Sequence, residues 1–311
     1  MPLGKVTPYK ILGRFKGGIN NVKDQIDLSP DELSEALDID LDNEGKPSRK
    51  KGKTLLLAGK YRWGWSDGTT CLAWRDGNLV LIASDYSTDT VLLSGLSDHR
   101  IVYKKVLGKI YFTNSQVIGY VRNNVAHELP QPAEPFKDIM QPGSMIEYYN
   151  GRLWTIRGNQ AWPSDALAIN QRDTRVAPKS FPGEITLFKA VKDGIFVGHA
   201  SNEPGVSGKI YFMEFGDVQD PLQNGIKPLA YYNAIPHCVI SVEGGLLTIG
   251  KTTKGNVFFF GTDRGICLGA DGGEFANYTI QRFVFPKGKE GAAFFRENHK
   301  GTPQVIMSVN S

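Results

Sequence analysis

Residues 71–82 read Cys71-Leu-Ala-Trp-Arg-Asp-Gly-Asn-Leu-Val-Leu-Ile82: an apolar run, a tight turn carrying Gly77, and a second apolar run. Five more segments repeat this layout: Ile101–Thr113 around Gly108, Met145–Ile156 around Asn150-Gly151, Leu187–Val197 around Asp193-Gly194, Val239–Ile249 around Gly244-Gly245, and Ala293–Met307 around Gly301. Asn-Gly and Asp-Gly suit a two-residue type I′ turn, because both central positions need positive φ. The flanking runs are rich in β-branched and aromatic residues, and helical spacing is poor through most of the chain. Each segment therefore predicts a hairpin.

The turn glycines at 77, 108, 151, 194, 245 and 301 are separated by 31, 43, 43, 51 and 56 residues. A hairpin returning every 40–50 residues or so is the spacing of β-propeller blades, small sheets that bury both faces only by stacking. The expectation is an all-β chain, a β-propeller of about six blades. A β-sandwich or two small β-domains also repeats hairpins, though less evenly.

Composition agrees with a globular β protein. The 311 residues are 41% hydrophobic and 22% charged, and 35 Gly with 17 Pro supply many turns. A net charge of +4 is too small to define a nucleic-acid binder from bulk balance. The start, Met-Pro-Leu-Gly-Lys, has no apolar run of the secretory kind, and no stretch of about 18 apolar residues suggests a membrane span. Cys71, Cys238 and Cys267 lie scattered in apolar runs, as reduced core residues of a protein made in a cytoplasm.

Residues 1–38 read as a separate N-terminal arm, with the propeller over 39–311. Gly17-Gly18-Ile19-Asn20-Asn21 marks a loop. Ser29-Pro30-Asp31-Glu32 has the layout of a helix start, with Ser29 as N-cap and Glu32 three residues later, and predicts a short helix over Pro30–Leu37. Asp38–Asp42 alternates like a strand and leads to a turn at Asn43-Glu44-Gly45. Because Val305–Val309 ends in mid-strand, strands near 39–58 are expected to pair within the last blade and close the ring.

The arm carries a resemblance. Gly17-Gly18-Ile19-Asn20, the capped segment through Glu32-Leu-Ser-Glu-Ala-Leu-Asp-Ile-Asp40, then Asp42-Asn-Glu-Gly45 and Ser48-Arg-Lys-Lys-Gly52, together resemble the opening of tail nozzle (tail-tube) proteins of short-tailed bacteriophages. The stretch from Gly151 to Ser164, with Trp162-Pro-Ser164 before a long loop, is similar to a hairpin of that family. Gly17, Gly18, Asn20, Ser29, Glu32 and Gly52 are the family-like positions. The resemblance implies a propeller-bearing virion subunit, assembled in the host cytoplasm into a closed ring, a hexamer in that family. The ring would extend the tail, retain packaged DNA, pass it at ejection and dock neighbouring tail proteins; no membrane is involved.

Site candidates are few. Arg49, Lys50, Lys51 and Lys53 form the densest basic stretch, suited to a neighbouring acidic subunit or to DNA phosphate. Loop 158–184, with Trp162, Arg172 and Arg175, reads as a partner-contact loop, and loops 201–208 and 216–228 share that status with fewer aromatics. The carboxylates of Asp38-x-Asp40-x-Asp42 fail as a calcium loop, since the sixth and twelfth places hold Asn43 and Arg49. The five histidines are isolated, and no nucleophile elbow or phosphate-cradling glycine motif occurs. Ser66-Asp67-Gly68-Thr69 resembles the Asp-rich turn of sialidase propellers and reads more plainly as a turn. No catalytic residue, metal or cofactor is expected. The rival reading is a propeller glycoside hydrolase or glycan-binding protein, for which Asp85, Asp89 and Asp98 would be the acids to pair across a mouth.

Overall fold

A computed structural model describes residues 14–37, 39–41, 44–49, 54–201, 206–215, 224–243, 255–285, 289–297 and 303–310. The chain is all-β. Five antiparallel four-stranded sheets follow one another: sheet 1 (Tyr61–Ser66, Cys71–Arg75, Asn78–Ile82, Asp89–Leu93), sheet 2 (Val102–Val106, Lys109–Thr113, Ile118–Arg122, Val125–Glu128), sheet 3 (Met145–Tyr149, Arg152–Arg157, Gln160–Pro163, Lys179–Ser180), sheet 4 (Ile185–Ala190, Gly194–His199, Lys209–Phe215, Asn224–Ala230) and sheet 5 (Ala234–Glu243, Asn256–Thr262, Gly265–Ala270, Glu274–Asn277). A terminal hairpin, Glu290–Glu297 with Pro303–Asn310, comes last.

From sheet 2 onward, the first strand of each sheet lies beside the first strand of the next, and Glu290–Glu297 continues the row beside Ala234–Glu243. Apolar cores fill the spaces between consecutive sheets, the arrangement of a β-propeller. Leu72, Trp74 and Leu79 meet Ile110, Phe112 and Val121 between sheets 1 and 2. Tyr111 and Val106 meet Ile146 and Leu153 between sheets 2 and 3. Trp154 and Ile156 meet Phe188, Ile195 and Val197 between sheets 3 and 4. Leu187, Phe196 and Phe212 meet Phe258 and Phe260 between sheets 4 and 5. Val257, Phe259 and Leu268 meet Phe295, Val305 and Met307 of the hairpin. Successive residues such as Val257, Phe258, Phe259 and Phe260 thus serve opposite faces of one sheet, which is why these strands are continuously apolar.

Three of the predicted turns have the expected backbone. Asp76-Gly77, Leu107-Gly108 and Asn150-Gly151 all hold positive φ at both positions. Asp193-Gly194 does not. Gly194 starts a strand, the turn closes by Val191 N–H donating to the Gly194 carbonyl, and the glycine is there because a Cβ would strike the Phe212 ring. The hairpin predicted within Val239–Ile249 is also corrected: the partner of Ala234–Glu243 is Asn256–Thr262, and Gly244-Gly245 lies outside the described residues, as does Gly301.

The helix predicted over Pro30–Leu37 does not form. Glu32–Leu33 is a short strand lying parallel to Gly18–Ile19, and the arm's helical turn is a single 3₁₀ turn at Gln25–Asp27. Ile39–Leu41 pairs with Pro47–Arg49 in a sheet of its own. Among the described residues the terminal hairpin pairs with neither of these strands, so closure by arm strands is not what the structure displays. The arm meets the C-terminal region by another route. Asn21 N–H donates to the Arg282 carbonyl, and the Asn21 side chain exchanges hydrogen bonds with the Val284 carbonyl and N–H.

Candidate interaction surface

Four of the family-like positions of the arm meet in one knot. Asn20 is buried; its amide donates to Glu32 Oε1 at 3.0 Å, while its Oδ1 accepts the N–H groups of Val22 and Lys23. Glu32 Oε2 accepts the Ser29 N–H and the Lys23 ammonium, each at 3.1 Å. That Ser29–Glu32 bond is half of a capping box, made here around a turn because Leu33 is drawn to Ile19 instead of continuing a helix. Gly17 fits against Glu32, where a Cβ would lie 2.6 Å from its Cγ. Hydrogen bonds from Asn20 first, then Ser29 and Lys23, hold the Glu32 carboxyl down to about 2. Gly18 turns the chain at φ +71. Arg49 ends a strand, and Lys50, Lys51, Gly52 and Lys53 lie outside the described residues.

Loop 158–184 is not structureless. It contains the third and fourth strands of sheet 3 and a strand, Gln171–Asp173, that pairs with Lys137–Ile139. Trp162 lies under Arg172, whose Cζ is 4.5 Å from the ring centroid. Asp173 takes a two-pronged hydrogen bond from Arg175 and, at 3.3 Å, the Lys137 ammonium, which also reaches Asp165 at 2.7 Å. The Arg175 bonds hold the Asp173 carboxyl below the usual range. Phe136, Leu167 and Val176 are exposed on this platform, with Arg175 over the Phe136 ring. Of the other expected loops, 202–205 and 216–223 are outside the described residues, and 224–230 is a strand of sheet 4.

A further cluster escaped the sequence reading. Glu147, on the first strand of sheet 3, is 2% exposed and is gripped by Lys104 from the first strand of sheet 2 and by Lys189 from that of sheet 4, the latter at 3.0 Å. Burial opposes the charged form of Glu147, but the two ammoniums and the Tyr148 N–H outweigh it and keep the carboxyl below its ordinary value. One carboxylate thus ties three sheets. Arg100 makes a second long-range tie, donating to the Gly291 carbonyl at 2.9 Å and lying 3.7 Å from Glu290. Beside it, His237 sits in a bulge of sheet 5 at φ +61, and burial, with Arg100, presses its pKa down to about 3.

Asp67, Asp89 and Asp98 each hold local partners. Asp67 accepts hydrogen bonds from Thr69 and Thr70 as an ordinary Asx turn and pairs with Lys105 at 2.5 Å. Asp89 pairs with Arg75 and Tyr61, and Asp98 with Arg62. Among the described residues no group of three His, Cys, Asp or Glu is placed to hold a metal.

No protein-family model and no curated protein matches the chain. Solved structures similar to it include the N-terminal domain of Nup159 (11% identity, TM-score 0.45, 79% of this chain and 72% of that one). A gluconolactonase of Xanthomonas campestris is similar over 81% of this chain and 87% of its own (11% identity, TM-score 0.46). An auxiliary nutrient binding protein of Bacteroides thetaiotaomicron shares 11% identity at a TM-score of 0.45, over 80% of this chain and 69% of that one. With identities this low, function has to be argued from this chain's own residues.

Proposed function

We propose that the chain is a structural virion protein of the tail nozzle type, not an enzyme: a six-blade propeller, with the terminal hairpin as an incomplete sixth blade, that joins copies of itself in a closed ring at the end of a short tail. The ring extends the channel, retains and then passes DNA, and docks neighbouring tail proteins. It is assembled in the host cytoplasm and resides in the virion. The observation that carries this reading is the arm knot. Positions on which the family resemblance rests, from Gly17 to Glu32, converge in space, and the polar groups of Asn20 and Glu32 are spent on holding the arm's shape. A segment so built presents a surface; it does not process a substrate. The exposed platform around Phe136, Leu167 and Arg175 suits contact with a neighbour in the same way.

Electron microscopy of the purified full-length chain is the test, together with immunogold labelling of virions from cells that make it. Rings of uniform size and label at the tail tip are expected. A chain that stays monomeric and is absent from virions, or that hydrolyses a polysaccharide and loses this on mutation of one carboxylate, overturns the proposal.

A further inference from the structure

We infer that the acidic arm segment 24–37 of one copy docks on the basic turn end of sheet 2 of the next copy. The inference rests on the ring reading above and supplies its contact. Segment 24–37 carries Asp24, Asp27, Asp31, Glu32 and Glu35 and no base. Glu32 is consumed in the knot; the other four are exposed and make no ion pair among the described residues. Between them Ile26 is 95% exposed and Leu37 is 73% exposed. Val22, on the arm, and Tyr278 and Ile280, close in sequence to the arm's anchor at Arg282, are exposed as well. Ile26 and Leu37, apolar and exposed among four carboxylates that make no ion pair, have no cover among the described residues.

Sheet 2 has the opposite character. From Val102 to Val125 there are four bases, Lys104, Lys105, Lys109 and Arg122, and no acid. Lys104 and Lys105 are taken by Glu147 and Asp67. Lys109 and Arg122 have no carboxylate partner among the described residues, and the pairing of Ile110 with Val121 places them side by side. Leu107, held at φ +48, is 79% exposed, and Val125 is 53% exposed. The turns Leu107-Gly108 and Asn123-Asn124 lie at one end of this up-and-down sheet, so both apolar tips and both cations share that end, with the Lys109 ammonium over the Tyr120 ring. One chain therefore holds two bare patches of matching apolar character and opposite charge. Two different patches on identical chains pair head to tail, and such contacts close into a ring or run on as a filament.

The experiment uses two full-length variants and sedimentation velocity at low salt. The arm variant is Ile26→Arg with Asp27→Arg; the tip variant is Leu107→Asp with Lys109→Glu. All four positions are at least partly exposed, so thermal melts should match the wild type and report intact folding. The wild-type chain should assemble, with assembly weakening as salt is raised. Each variant alone should be monomeric. An equal mixture should stop at dimers, because the intact arm of the tip variant meets the intact tip of the arm variant and no further contact is left. Wild-type rings unaffected by both variants, or a mixture that stays monomeric, overturn the inference while leaving the ring reading in place. A wild-type chain that is monomeric at every concentration overturns both.

Discussion

Lys104, Glu147 and Lys189 stand four, four and five residues ahead of Gly108, Gly151 and Gly194, so the same repeat that marks the turns also lines up three charged side chains on neighbouring first strands. A charge inside an otherwise apolar strand such as Met145-Ile-Glu-Tyr-Tyr149 is the signal by which this tie was legible, had period and polarity been read together. Removing the carboxylate leaves two partly buried ammoniums facing each other. Glu147→Gln is therefore expected to destabilise the protein by about 3–5 kcal/mol in urea unfolding, and Glu147→Gln combined with Lys189→Met should recover part of that loss. Acid acts in the same direction. The His237 pKa lies at about 3, down from 6.5, so between those values the unfolded chain binds a proton that the folded chain refuses, and stability falls as pH drops through that window. Melting temperatures from pH 7 to pH 4 should decline, and His237→Gln should flatten the decline above pH 4.5, where carboxylates still hold their charge. An unchanged slope in that variant would remove His237 from the account.

At the scale of elements, glycine in a turn has two separate causes here, and substitution tells them apart. Gly151 is at φ +73 with Leu167 at ordinary contact distance from its Cβ position, so Gly151→Ala is expected to cost about 1 kcal/mol for the backbone alone. Gly194 has no such φ, yet a Cβ there meets the Phe212 ring and the Met213 carbonyl, so Gly194→Ala should cost more, through repacking of sheet 4. Equal melting shifts for the two would contradict this division. The contrast also explains what the sequence could convey. Two-residue turns between apolar runs were legible at Asp76-Gly77, Leu107-Gly108 and Asn150-Gly151, because local chemistry alone sets them. The true partner of Ala234–Glu243 was not legible, since Gly244-Gly245 is an equally good turn by composition and the pairing is decided by packing further on. The arm misled for a similar reason. Ser29 and Glu32 make a helix-start contact, but the parallel pairing of Ile19 with Leu33, a tertiary choice, redirects the chain. Fourth strands such as Val125–Glu128, Lys179–Ser180 and Glu274–Asn277 are short and comparatively polar, and local pattern says little about them. Of the expected contact residues, Trp162, Arg172 and Arg175 could be located only as a loop; Arg172 stacks on Trp162 within it, while Arg175 lies over Phe136, far upstream, and shares Asp173 with Lys137.

Across the whole molecule, five apolar cores join consecutive sheets, while no shared cluster among the described residues joins the terminal hairpin to sheet 1. Among the described residues, the apolar cluster that holds the hairpin is the one it shares with sheet 5. Arg100 ties the first half of the chain to it, through Gly291 and Glu290. Hydrogen exchange should therefore find the amides of Glu290–Glu297 and Pro303–Asn310 the least protected of the long strands. Arg100→Ala should speed their exchange several-fold while leaving sheets 3 and 4 unaltered; uniform acceleration would mean that the molecule opens as one unit. The serial arrangement of cores has a bearing on biosynthesis as well. Because each described sheet shares a core with the one made just before it, a chain leaving the ribosome can bury its oily surface step by step as it lengthens.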